Sequence, residues 1–222
     1  MKDSFQTLAA PSVGEFKDRG SKFLAYAAPL PNESGRKRTN EADFPIFLEK
    51  IRREHPKARH YCYAWRLGLD GNRFRTNDDG EPSSTAGRPI LGQIDAFGLT
   101  NVGIVVVRYF GGILLGTSGL INAYREAAAD ALRQAKIVQQ IVENQYEIRF
   151  NYDRMPDVMN AVKRLNINVL QQNFAATAAL IIVLRQSEAE RTLLEMRALI
   201  LKISVEEVEK REDTEGVEID LL

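Results

Sequence analysis

Cysteine and histidine are almost absent: one Cys and two His in 222 residues. A lone cysteine forms no internal disulfide, and two histidines leave little for a zinc site. Long apolar runs are missing too. The longest, Ala178 to Leu184, falls far short of the ~18 residues or more that span a bilayer. The first residues, MKDSFQTLAAPSVGEF, contain no apolar signal core. Net charge is zero, with 30 Lys+Arg against 30 Asp+Glu, so neither a basic nucleic-acid coat nor an acidic tail describes the whole chain. What is present is globular: 44% apolar and 27% charged residues, with 15 Gly and 8 Pro. These features predict a soluble cytoplasmic protein without a membrane span, a cofactor or a structural metal.

The zero charge conceals an asymmetry. Residues 1–138 carry 20 basic and 15 acidic residues, 20 − 15 = +5, and residues 139–222 carry 10 and 15, 10 − 15 = −5. Two domains follow as the reading, with the first meeting something anionic. We place them at 1–138 and 139–210, with 211–222 as a loose acidic tail. In the first, strand-like runs cover Phe5–Ala9, Val13–Lys17, Lys22–Pro29, His60–Leu67 and Arg73–Thr76. Asn32 to Asn40 is polar and basic and reads as an exposed loop whose Arg36, Lys37 and Arg38 could touch phosphate. Phe44, Phe47, Leu48 and Ile51 repeat at helical spacing, and a helix is expected near Ile90–Phe97. Val102–Val107 is apolar throughout, as a buried central strand requires. Thr117–Ala135 is the clearest helix, its inner face Leu120, Tyr124, Ala127 and Ala131. The second half reads β-α-β-β-α-β, with strands at Val142–Phe150, Asn166–Asn173, Thr177–Arg185 and Ile203–Val208. That order is the ferredoxin-like pattern.

Three stretches could carry chemistry. Asn77 to Pro89 is polar and turn-forming. Its Asp78, Asp79 and Glu81 could hold a hard cation, or could cap the following helix. Arg108 to Gly119 leads from the buried strand into the strong helix. Its glycines allow close backbone approach, Thr117 and Ser118 offer hydroxyls, and a helix N-terminus beside Arg108, with Arg88 as a second cation, suits an anion. The alternative is a tight turn, with Tyr109 and Phe110 in the core and Thr117 or Ser118 as N-cap. The third stretch, His60 to Arg66, alternates. Tyr61, Tyr63 and Trp65 share one face, as a stacking platform or simply as core. His60 and Cys62 share the other, where a lone cysteine on a strand is usually a buried hydrophobe.

Taken in order, HYCYAWRLG, NDDGEPSSTAGRPIL and VGIVVVRYFGGILLGTSGLINAYREAA resemble the YigZ/IMPACT family. The resemblance implies an α+β protein: an N-terminal ribosomal protein S5 domain 2-like domain followed by a C-terminal ferredoxin-like βαββαβ domain. Both are similar to the last two domains of the translocation elongation factor, and eukaryotic relatives regulate translation. The implied function is a non-catalytic, translation-associated regulator that binds ribosome, RNA or a translation-factor partner. Its binding region comprises His60, Asp78, Asp79, Glu81, Thr85, Arg88, Arg108, Tyr109, Phe110, Gly111, Gly112, Gly116, Thr117, Ser118 and Gly119. The alternative is an enzyme or sensor that takes a small phosphorylated ligand with Mg²⁺ in the same cleft. The sequence departs from the family pattern at Ser84 and Ser118, where glycine is expected, at Leu114, where lysine is usual, and at Asn122, where arginine is common. Two of these changes remove positive charge beside the glycine-rich turn.

Overall fold

A computed structural model describes residues 3–30, 43–175, 177–211 and 216–222. The basic loop Asn32–Asn40 lies outside the described residues. Contacts divide the chain into two compact units, Ser4–Gln140 and Ile141–Leu222, the latter joined by Asp3. No helix among the described residues is long and apolar enough to cross a membrane.

The first unit holds strands β1 (Ser4–Leu8), β2 (Ser12–Asp18), β3 (Ser21–Pro29), β4 (His60–Leu67), β5 (Arg73–Asn77), β6 (Val102–Tyr109) and β7 (Ile137–Ile141), with helices α1 (Asp43–Glu54), α2 (Gly87–Ala96) and α3 (Gly116–Gln134). Five of the strands form one sheet in the order β2-β3-β6-β4-β5, antiparallel throughout. β6 lies at its centre, which is why VGIVVV carries no polar side chain: both faces are covered. Helices α2 and α3 bury one face, where Phe23, Cys62, Ala64, Ile104 and Val106 meet Ile90, Ile94 and Tyr124. Phe44 and Ile51 of α1 bury part of the other face, over Tyr63, Trp65, Val105 and Val107. The aromatic face of β4 is therefore mostly core rather than an open platform. Gly103 leaves the gap that Phe44 fills, since a Cβ there would lie 2.7 Å from the Phe44 ring.

Alternation in the sequence marks β4, and the 3.6-residue period marks α3. The alanine-rich inner side of α3 lets it approach β2 so closely that Gly14 sits on the Ala131 backbone. β7, absent from the sequence reading, pairs with β1 in a separate two-stranded sheet.

The second unit contains β8 (Glu143–Phe150), α4 (Met155–Arg164), β9 (Asn168–Phe174), β10 (Ala178–Arg185), α5 (Ala189–Leu201), α6 (Val205–Val208) and β11 (Val217–Leu221). Its antiparallel sheet has the order β11-β8-β10-β9. Two expectations are corrected here. Ile203–Val208 is not the last strand. Ser204 and Glu207 form a reciprocal capping box, and this Ser-x-x-Glu signal starts a helical turn despite the β-branched residues around it. The last strand is β11, inside the segment read as a loose tail. Val217 and Ile219 face the core while Glu218 and Asp220 pair with Arg149 of β8, the alternation of a half-buried strand.

Candidate functional site

The loop from β5 to α2 spends its carboxylates on its own architecture. Asp78 Oδ1 accepts from the amides of Ala86 (3.0 Å) and Gly87 (2.8 Å), and Oδ2 accepts from the amide of Ser84 (2.9 Å). It thereby satisfies the start of α2, whose own N-cap, Ala86, has no side-chain acceptor. Ser84 itself is left-handed, with φ 64°, the conformation that favours glycine. Asp79 Oδ2 accepts from the Tyr61 amide at 2.7 Å, and its carbonyl accepts from His60 Nδ1 at 2.8 Å. A carbonyl can only accept, so His60 carries its proton on Nδ1. Thr85 is buried and donates to the Pro82 carbonyl at 2.7 Å.

Glu81 turns inward. Its Oε1 accepts from Arg108 Nη1 at 2.6 Å and from the Tyr124 hydroxyl at 2.7 Å. The two charged side chains are only 7% (Arg108) and 4% (Glu81) exposed. The Arg108 guanidinium lies 5.5 Å from each of the Phe23 and Phe110 ring centroids, and among the described residues its Nε has no hydrogen-bond partner. Cys62 Sγ is 3.3 Å from the Tyr124 hydroxyl and 3.0 Å from the Asp78 carbonyl. Burial, which disfavours the charged form, pushes both the Cys62 thiol and the Tyr124 phenol well above their usual pKa ranges. Both stay neutral at physiological pH, so Cys62 is no thiolate nucleophile.

The glycine-rich loop after β6 is pinned at its base and open at its tip. Gly111 donates to Ser21 Oγ at 3.1 Å, and a Cβ on Gly111 would stand 1.9 Å from the Gly20 carbonyl carbon. Gly112 and Gly116 turn the chain with φ of 88° and 70°. Ile113 and Leu114 between them, and Phe110 just before, present large apolar groups: Phe110 is 53% exposed, Ile113 54% and Leu114 81%. Tyr109 is half-buried, and its hydroxyl lies 2.8 Å from Nδ1 of His55, whose Nε2 lies 2.6 Å from the Tyr26 hydroxyl. Thr117, Ser118 and Gly119 lie in the first turn of α3. The N-cap position is Leu115, which supplies no side-chain cap, so neither hydroxyl residue caps the helix.

The structure thus joins Glu81 and Arg108 to Tyr124, Cys62 and Phe23. Arg88 is exposed on the first turn of α2, outside that cluster. Asp78, Asp79 and Glu81 bond to different protein partners. Among the described residues no group of three or more His, Cys, Asp or Glu side chains is placed to hold a metal ion. Site selection from the sequence passed over Tyr124 and the Gly20–Ser21 turn. The signal for the turn was available in Asp18-Arg19-Gly20-Ser21.

The Impact N-terminal domain family model matches residues 19–132. The chain is 36% identical over 184 residues to the IMPACT family member YigZ of Escherichia coli (strain K12), covering 82% of this chain and 86% of that protein. A solved structure described as the crystal structure of an hypothetical protein superposes with a TM-score of 0.62 at 30% identity, over 86% of this chain and 90% of that one. The two-domain translational regulator Yih1 is also 30% identical, over 59% of this chain and 47% of its own, but superposes with a TM-score of only 0.32.

Proposed function

The chain belongs to the IMPACT family, and from that premise we propose that it is a non-catalytic, translation-associated regulator whose first unit docks on a ribosomal or translation-factor partner. The docking element is the segment Phe110–Ser118, the loop after β6 together with the first turn of α3. In this reading the first unit is ribosomal protein S5 domain 2-like and the second ferredoxin-like. The strand order β11-β8-β10-β9 of an antiparallel sheet, with the element order β-α-β-β-α-β to which only the four-residue α6 is added before the last strand, supports the second assignment.

One observation carries the reading: three large apolar side chains stand in solvent on a loop whose base is fixed by Gly111 and by the Phe110–Arg108 stack. Exposed apolar groups on a pre-organised loop are the usual anchors of a protein interface. The loop from Phe110 to Gly119 contains no cationic residue, and the charge of Arg108 is answered by Glu81. A protein surface therefore fits this loop better than phosphate does. RNA contact would fall to exposed cations elsewhere, such as Arg88.

Co-sedimentation with ribosomes from lysate, at low and moderate salt, tests the proposal. Leu114→Asp is the informative variant, because a surface change of this kind costs the fold within about 0.5 kcal/mol. The native chain should migrate with ribosomes or a translation factor, and Leu114→Asp should not. Equal migration of both would remove the loop from the interface. A native chain that stays free of both at every salt would count against the translational role.

A further inference from the structure

The second unit contains a long stretch without charge. From Leu165 to Leu184 the chain has no Asp, Glu, Lys, Arg or His. That stretch supplies β9 and all of β10 except Arg185. In the order β11-β8-β10-β9, β9 stands at the margin of the sheet, and among the described residues no strand pairs with its outer side. An edge strand presents a row of unpaired backbone donors and acceptors, and sheets commonly blunt it with charge. The opposite edge is blunted in that way, since β11 carries Glu218 and Asp220. β9 carries only amide and apolar side chains.

A bulge at Leu170 interrupts the register with β10, where Val169 pairs with Ile182 and Gln171 with Ile181. Beyond it, Gln171 to Phe174 run in regular register against β10. Tyr152 steadies the far end of the strand by donating to the Ala175 carbonyl at 2.6 Å. Every residue from Leu170 to Phe174 is exposed, Leu170 at 53% and Phe174 at 45%.

The order of these side chains selects the occupant. Leu170-Gln171-Gln172-Asn173-Phe174 reads apolar, amide, amide, amide, apolar, the same in both directions. Two antiparallel copies related by a twofold axis at Gln172 therefore match at every position. Leu170 of each copy meets Phe174 of the other, Gln171 meets Asn173, and Gln172 meets its own equivalent. No charge faces a like charge. The same operation on β11, about Ile219, would set Glu218 against Asp220.

We propose that β9 is a self-association edge: a second copy of this chain adds antiparallel beside Leu170–Phe174, and the two sheets join into one across the twofold axis. A contact this short makes a weak, reversible dimer. The edge belongs to the second unit and the Phe110–Ser118 segment to the first, so this proposal stands or falls independently of the docking reading above.

Sedimentation velocity of the full-length chain, run across concentration, tests it. The chain should be monomeric at about 1 μM and mostly dimeric by about 1 mM. Amide exchange at residues 170–174 should slow over the same range. Gln172→Lys and Gln172→Glu each set like charges face to face on the axis, so each should weaken the dimer at least about tenfold, and an equimolar mixture of the two should restore it as a heterodimer. Gln172→Cys should cross-link to its equivalent on mild oxidation, because directly opposed Cβ atoms approach disulfide range. Glu218→Cys, on the other edge, should not. Leu114→Asp should leave the dimer unchanged. A chain that stays monomeric at about 1 mM overturns the proposal, as does a dimer that both charged variants form as well as the native chain. Protection away from residues 170–174 would place the contact elsewhere, and Gln172→Cys that does not cross-link, or a mixture that stays monomeric, would refute the twofold register. Assembly that grows past the dimer would be unspecific edge aggregation and would equally overturn it.

Discussion

Removing either partner of the Arg108–Glu81 pair should nearly unfold the first unit, whereas removing both should not. The pair is almost fully excluded from water, and Glu81 also takes the Tyr124 hydroxyl. Arg108→Met leaves a buried carboxylate whose one remaining partner among the described residues is that hydroxyl. Breaking a buried pair in this way costs about 3–5 kcal/mol, a large share of the roughly 5–15 kcal/mol that holds a domain together. Replacing both by Arg108→Met with Glu81→Leu removes the stranded charge. It leaves only the Tyr124 hydroxyl short of an acceptor, at a cost of about 1–3 kcal/mol. The assay is built into the chain: its single tryptophan, Trp65, is buried in the first unit beneath α1, so its emission follows that unit alone through a urea titration. With a urea slope of roughly 1–3 kcal/mol/M, the single variants should unfold about 2 M earlier than the native chain. The double variant should fall between. A single variant that costs less than about 1 kcal/mol, or a double variant that costs the sum of the two singles, would refute the buried-pair account.

Two further outcomes follow from the packing. Cys62 should resist a thiol-specific disulfide reagent at pH 8, because its raised pKa keeps the thiol neutral and its burial blocks access. Native labelling should run at least about a thousandfold slower than labelling in urea, and rapid stoichiometric labelling of the folded chain would contradict the burial. Gly14→Ala places a methyl 2.2 Å from the Ala131 amide nitrogen, and should cost about 1–3 kcal/mol or more by the Trp65 titration. In contrast, Gly92→Ala on α2 meets nothing within 4 Å and should gain about 0.5–1 kcal/mol. Equal stability of these two variants would show that close approach does not govern the α3–β2 contact.

Periodicity carried the fold where a single element decides its own conformation. His60–Leu67 is a strand in the sequence and in the structure because alternation separates the two faces of β4 cleanly. Thr117–Ala135 is a helix because Leu120, Tyr124, Ala127 and Ala131 recur on one side, all of them buried. The reading failed where short local interactions compete with propensity. Ile203–Val208 has the β-branched residues of a strand, but Ser204 and Glu207 cap a helical turn there. KREDTEGVEIDLL looks like a solvated tail by composition, yet the V-E-I-D-L alternation within it completes a sheet. The site was less legible than the fold. Sequence shows residue types but not pairings across distance, and Glu81 lies 27 positions from Arg108 and 43 from Tyr124. Nothing local distinguishes a carboxylate that meets a ligand from one that meets a buried guanidinium.

Those distant pairings change what the polar motifs are for. A buried ion pair contributes little net stability over an apolar pair of the same size. The Arg108–Glu81 pair is therefore poorly explained as a stabiliser. Its geometry accounts for it better: Glu81 comes from the loop before α2, Arg108 from the end of β6, Tyr124 from α3 and Phe23 from β3. One charge pair fixes four segments relative to one another, and it does so directly beneath Phe110, where the exposed loop begins. Asp78 and Asp79 act likewise, anchoring the neighbouring loop to α2 and β4 through backbone amides. The residues that look most like chemistry hold the surface in place, and the apolar tip they support is what a partner would meet.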